Sequence, residues 1–346
     1  MISLRHTPLR RLGYLLGVSV LIAGIAACND TQPLATDQYV RLEFDKPARL
    51  ETFDGSAGRD LPGLPNLGRF DVSRESARLC GADYDENYLL YDLRSGSITA
   101  KAKQPSGVPQ PAIDSHGRCL VVLGPGHLGV LGDGAAVTEI ALPDAGDKLP
   151  YVNYAAQADR FIARTDERIY VIHLGEQKPE VVAMTPTGQI GNLKASDWQC
   201  CAQLSPDGKT LYTVMDVVDD FLTGTTSLAA VDVPSGNLRK IYLSHIDEQG
   251  THYDLPSSVD NAFALSEDGK TIFIAAVIDS DHLAWLRVDT VSGKVSKVRD
   301  GSGDPLLSDT GGFALMNKGD HVDIVKLPGG ETVRSMPSSV ARPLHR

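Results

Sequence analysis

Short runs of alternating apolar and polar residues recur along most of the chain, each introduced by a polar turn. The clearest are LSPDGKTLYTV (204–214) and LSEDGKTIFIA (265–275), in which a serine, a glycine three places on and an apolar continuation keep the same spacing. LSDTGGFAL (307–315) and VSRESARLC (72–80) carry the same serine, and the segments around 114–122 and 155–163 are weaker copies. After a variable interval each copy meets a second signal, an apolar run closed by a small turn, as in YDLRSG (91–96), VLGDGA (130–135), IHLGEQ (172–177), VDVPSG (231–236), VDTVSG (288–293) and VKLPGG (325–330). A further short strand follows each. The pattern predicts a unit of strand a, tight turn, strand b, loop, strand c, tight turn, strand d.

Four short strands at a period of roughly 40 to 60 residues are the mark of a propeller blade. One such sheet cannot bury both faces alone, whereas a ring of them buries every face against a neighbour. Asp207-Gly208 and Asp268-Gly269 supply the positive φ of a two-residue hairpin turn, so their carboxylates are read as turn-formers rather than catalysts.

These motifs resemble the YVTN and TolB-like propellers, a WD40-like superfamily, over about residues 64–335, most strongly from Leu204 to Val298. No Trp-Asp dipeptide closes the strand c motifs. The resemblance implies an all-β chain folded as a single β-propeller. Because the superfamily spans binding scaffolds, lactonases and dehydrogenase subunits, it implies little chemistry. Six blades begin near residue 64. QYVRLEFDKPARLETF (38–53) reads as strands c and d of a seventh, and SVARPL (339–344) can add a strand to it, joining the chain ends and leaving no exposed sheet edge. Seven blades is the expectation, and six with an N-terminal hairpin is the alternative.

Ahead of this region, Arg5, Arg10 and Arg11 precede an apolar stretch from Leu12 to Ala27 that contains no acidic residue and is short for a membrane span. It closes on Ile25-Ala26-Ala27 before Cys28, which resembles the bacterial lipobox and implies a lipidated Cys28 as mature N-terminus. The expected organisation is a signal peptide over 1–27, a lipidated Cys and tether over 28–38, and the propeller over 39–346. Asn29 leans the sorting towards the outer membrane, and Asp30 leaves it open. Loss of residues 1–27 removes three of 33 basic residues and none of the 44 acidic ones, leaving a formal charge of about −14. That charge argues against nucleic acid as a partner.

The a–b and c–d turns share one face of the ring and are tight, while the b–c and d–a connections on the other face are long and varied. These are segments 81–87, 124–127, 142–150, 185–199, 215–226, 244–258 and 277–282, and blades four and five dominate the face. Long loops on a rigid scaffold are where binding groups sit, so this is the expected working face. It carries His127, His245, His252 and His282 together with Asp216, Asp219, Asp220, Asp247, Asp254, Asp279 and Asp281. Such a set can hold a divalent cation, Ca2+ through oxygens or Zn2+ if His245, His252 and His282 join. No HExxH, paired CxxC or EF-hand spacing supports one, and no cofactor is expected.

Cys80, Cys119, Cys200 and Cys201 are candidates for disulfides in an oxidising compartment, with one of the adjacent pair joined to Cys80 or Cys119, or with all left as buried thiols. Adjacent cysteines line a cofactor in some quinone-dependent propellers, but the tryptophan docking repeats of those enzymes are absent. With no GxSxG, P-loop, dinucleotide fingerprint or CxxCH, the leading expectation is a monomeric, lipid-anchored periplasmic scaffold that binds a protein or peptide. The rival is a propeller enzyme, lactonase-like or an oxidoreductase subunit.

Overall fold

The structure, a computed structural model, describes residues 33–43, 46–105, 110–134, 137–147, 149–165, 169–174, 179–184, 198–219, 222–235, 238–242, 244–246, 252–254, 263–278, 282–300, 305–318, 320–337 and 339–345. Its strands form seven antiparallel sheets arranged as a ring, a seven-bladed β-propeller. The one helical element among the described residues is a 3-10 turn, Ala156–Ala158.

Blade one shows the plan, from inner strand a to outer strand d: Leu67–Ser73, Arg78–Asp83, Asn87–Asp92 and Ser97–Lys103. Its inner strands are apolar at both parities because alternate residues face opposite sides of the sheet, and both sides are covered. Blade five makes this explicit. On strand b, Ile272, Ile274 and Ala276 pack against blade four with Tyr212 and Leu228, while Phe273 and Ala275 pack against blade six with Ala314, Met316 and Val325. Trp285, on the next strand, is wholly buried in the second of these seams.

The recurring serine has a structural task. The Ser205 hydroxyl accepts the Thr210 N–H at 2.9 Å and donates to Asp207 at 2.6 Å, and Ser266 repeats this with Thr271 (2.9 Å) and Asp268 (2.7 Å). Each such bond contributes about 1 kcal/mol. The turn differs from the expected two-residue type. Gly208 N–H donates to Ser205 O (2.8 Å), Ser205 pairs with Thr210, and only the glycine, at φ +71°, has a positive φ. This is a type I turn closed by a left-handed glycine, which leaves the aspartate free to accept amides.

The seventh blade is assembled from both chain ends. Its inner strand is Val340–Pro343, followed outwards by Gln38–Leu42, Ala48–Thr52 and Gly58–Leu61. Residues 38–53 are therefore strands b and c rather than c and d. The outermost strand, GRDL, carries no apolar signature in sequence, because three of its four residues are exposed. Tyr39 anchors the blade to blade six through an edge-on contact with Phe53 at 5.2 Å, and Phe53 in turn stacks on Phe313 at 5.5 Å.

Two expected loops are β-structure. Segment 215–226 continues strands b and c of blade four, Thr210–Asp219 and Leu222–Asp232, as a ribbon paired to its tip. Val217, Val218, Thr225 and Thr226 are β-branched and suit a pleated strand. Within 244–258, Ser244–Ile246 pairs with His252–Asp254, and the latter adds to the far end of Thr271–Ile278 of blade five, beyond the part covered by its own strand a, Phe263–Leu265. Blade five thereby has six strands.

Candidate functional site

A cavity of about 350 Å3 occupies the centre of the ring. Asp71, Ala112, Gln203, Ala264 and Leu306 reach it from the inner strands of blades one, two, four, five and six. Each stands two places before the first polar residue of its repeat turn: Ser73, Asp114, Ser205, Ser266 and Ser308. Asn153 and Pro343 complete the ring from blades three and seven. A repeat in sequence thus becomes a circle of side chains about one axis. That register is the signal in the sequence that marks the lining residues.

The lining mixes polar and apolar side chains and carries both signs of charge. Arg342 donates to Gln110 Oε1 at 2.8 Å, and Asn153 donates to the Ala202 carbonyl at 2.8 Å. Towards the a–b turns lie Pro206, Glu267, Asp309 and His345. The Asp71 carboxylate accepts the amides of Val72 and Ile113, both at 3.0 Å, and meets His345 Nε2 at 3.1 Å. His345 is held in place by its own backbone, donating to Val72 O (3.1 Å) and accepting from Arg74 N–H (2.7 Å), and its ring lies 5.2 Å from that of Tyr154. Burial alone would raise the Asp71 carboxyl, but His345 and the two amides outweigh it and hold it below the usual carboxylate range.

Asp309 shows the opposite balance. It pairs with Arg74 at 2.7 Å and accepts the Asp37 N–H at 2.9 Å, yet burial, with only 2% of its side chain exposed, pushes its carboxyl above the ordinary value. Tyr154 is likewise pushed up, by burial and then by its 2.6 Å bond to Asp159.

The Asp71 shift gives a pH prediction. A depressed carboxyl stabilises the fold above its unfolded value of about 3.9, and that contribution is lost as pH falls through the folded value. Urea midpoints of the native protein are expected to fall as pH drops below about 5, and Asp71→Asn is expected to make that fall shallower. An Asp71→Asn profile parallel to the native one would count against this pairing.

The residues expected to form the site are distributed differently. Cys28, Asp220, Asp247, Asp279 and Asp281 lie outside the described residues. His127 begins strand c of blade two and bonds Glu139 on the neighbouring outer strand at 2.5 Å, with both side chains more than half exposed. Asp216 and Asp219 stand on the blade four ribbon, opposite Thr226 and Leu222. In blade five the register runs His245, Tyr253, Ile278, His282 across four strands, so the backbones of His245 and His282 are three strand spacings apart, roughly 14 Å. His252 and Asp254 flank Tyr253 on the second of those strands. The register therefore places these residues in one extended sheet without bringing His245 and His282 together, and no metal-binding cluster occurs among the described residues.

The cysteines also differ from the expected pairing. Cys80 on strand b of blade one is bonded to Cys119, the first residue of strand b in blade two, with Cα atoms 5.9 Å apart. Neither is joined to the adjacent pair. Cys200 and Cys201 fall where the register of Trp198–Leu204 against Thr210–Asp219 shifts, at a bulge that interrupts the strict alternation of the strand.

No family model matches the chain, and no curated protein matches it. Solved structures do. The dihydro-heme d1 dehydrogenase NirN in complex with DHE aligns over 90% of this chain and 76% of its own, at 15% identity and a TM-score of 0.54. A candidate 6-phosphogluconolactonase of Bacteroides uniformis aligns over 89% and 98%, at 16% identity and 0.51. The Cps50 (Swd1) β-propeller domain of Myceliophteria thermophila aligns over 80% and 88%, at 13% identity and 0.53. At such identities the likeness is one of fold alone, the β-propeller.

Proposed function

We propose that the protein is a lipid-anchored scaffold on the periplasmic side of a bacterial membrane, the outer membrane by the lean of Asn29, and that it captures a protein or peptide partner on the face opposite its tight turns. The observation that carries this reading is the pair of β-ribbons on blades four and five. The tip of the blade four ribbon, Asp216–Asp219 with Leu222–Ser227, has pairing only within the ribbon among the described residues, and Ser244–Ile246 is the outermost strand of its sheet. Unpaired edges of this kind accept an extended segment by strand addition. Tyr84, 74% exposed on the b–c loop of blade one, stands on the same face.

The test is a photo-crosslinking residue placed at Thr226 on the ribbon and, separately, at Lys209 in a tight turn. A discrete protein adduct is expected from position 226 alone, and it is expected to vanish when residues 216–225 are replaced by a two-residue turn that leaves thermal stability unchanged. Equal adducts from both positions, or an adduct that survives the shortening, would contradict the proposal.

The central cavity favours a second reading, an enzyme or ligand carrier. Its volume falls at the small end of the range for small-molecule sites, and haem-related and lactonase-like proteins are among the fold's neighbours. A stoichiometric metal or small molecule retained by dialysed protein would support it.

A further inference from the structure

Closing a ring with three strands from one chain end and one from the other fixes where both ends emerge. In blade seven the missing link is the a–b turn, because strand a comes from the C-terminus and strand b from the N-terminus. The chain must therefore enter Gln38 and leave Pro343 on the tight-turn face. The described residues show this directly. Asp37 donates its N–H to Asp309 in the a–b turn of blade six and accepts the Thr310 hydroxyl at 2.5 Å. Leu34 donates its N–H to Arg74 O in the a–b turn of blade one at 3.2 Å and packs on the blade seven and blade one core. Leu344 N–H donates to Gln38 O at 2.9 Å, which ties the two ends to each other.

We infer that the tight-turn face, with its end of the central cavity, is turned towards the membrane, and that the blade four and five ribbons point away from it. The inference rests on the proposed lipid anchor at Cys28. Four residues separate Cys28 from Pro33, and the five steps from one to the other span at most ~18 Å even fully extended. The ten-residue strand Thr210–Asp219 starts at the tight-turn face and runs roughly 33 Å to the ribbon tip. A tether shorter than that strand, attached near the ring's inner edge, keeps the turn side nearest the bilayer. The turn face presents both signs of charge, with Lys209, Lys270 and Lys294 beside Asp207, Asp268 and Asp289, so it is held there by the anchor and not by adhesion to anionic lipid. The consequence is functional: a large soluble partner approaches from the ribbon side, whereas the turn end of the cavity looks towards the lipid.

The test uses full-length, lipidated protein in phosphatidylethanolamine and phosphatidylglycerol vesicles containing a fluorescent acceptor lipid. A donor dye is attached at Lys270→Cys in the a–b turn of blade five, whose lysine side chain is 75% exposed, or at Tyr84→Cys on the opposite face, each in a chain also carrying Cys200→Ala and Cys201→Ala. Energy transfer is expected to give a distance of closest approach to lipid shorter by roughly 20 Å at position 270, the length of a six-residue strand. Equal distances, or a shorter one at position 84, overturn the inference. Mass spectrometry of the same preparation reports the acyl groups on Cys28. Their absence overturns the anchor, and the orientation with it, whereas their presence with the wrong distances overturns the orientation alone.

Discussion

A chain lacking residues 340–346 is expected not to fold cooperatively. Strand Val340–Pro343 pairs with Gln38–Leu42 over four positions and is continued by the Leu344 bond to Gln38, the His345 bond to Val72 and the Arg74 bond to His345. Leu344 is fully buried in the seam between blades seven and one, and Ala341 is buried between blades seven and six. Six or so backbone hydrogen bonds at about 1 kcal/mol each, with about 2 to 5 kcal/mol for the large buried side chain, amount to roughly 10 kcal/mol. That is comparable with the whole stability of a typical domain, about 5 to 15 kcal/mol. Far-UV circular dichroism through a urea titration should show a broad, low transition for the truncated chain, and protease should cut it under conditions that spare the native protein. Leu344→Ala alone is expected to lower stability by about 2 to 5 kcal/mol while preserving a single sharp transition. A truncated chain with the native midpoint would mean that the ring does not depend on this strand.

The second large effect is expected from the disulfide. Cys80 and Cys119 are 39 residues apart and join the b strands of neighbouring blades. Closing a loop of that length removes on the order of 4 kcal/mol of freedom from the unfolded chain. Both cysteines are fully buried, so a Cys80→Ala/Cys119→Ala chain also loses packing in the shared core of blades one to three. Reductant should lower the native urea midpoint, by less than the double variant does because the buried thiols remain, and it should leave the variant's own midpoint where it was. A midpoint insensitive to both changes would show that the seam of blades one and two needs no staple.

The architecture was legible wherever its cause is local. The serine and glycine of LSPDG and LSEDG make one turn within six residues, so the repeat announces itself, and the b and c strands are recognisable because both of their faces are buried. Where the cause is remote, legibility ends. The strand Gly58–Leu61 is defined only by its neighbour Ala48–Thr52 and carries almost no apolar pattern of its own. The ribbon of blade four resembles a loop in sequence because Asp216, Asp219, Asp220 and Gly224 mimic a turn-rich segment, whereas its pairing is set by the strands it prolongs. The meeting of Asp71 with His345 spans almost the whole chain, and neither residue has a neighbour in sequence that points to the other. Candidate chemistry read from loops gathered His and Asp by composition. The cavity gathers Asp71, Asn153, Gln203 and Asp309 by geometry, and only the closed ring supplies that geometry.

Ring closure is therefore what the account rests on, and a cross-link across the joined ends tests it most directly. Leu42 lies opposite Val340 in the register of blade seven, almost three hundred residues away in sequence. With Leu42→Cys and Val340→Cys introduced into a chain carrying Cys200→Ala and Cys201→Ala, mild oxidation of native monomer is expected to form one intramolecular disulfide, visible as a more compact species on a denaturing gel. No such bond is expected in urea, where the ends are apart. Failure to form it in a natively folded monomer, or its formation only between molecules, would contradict a propeller closed by its own termini.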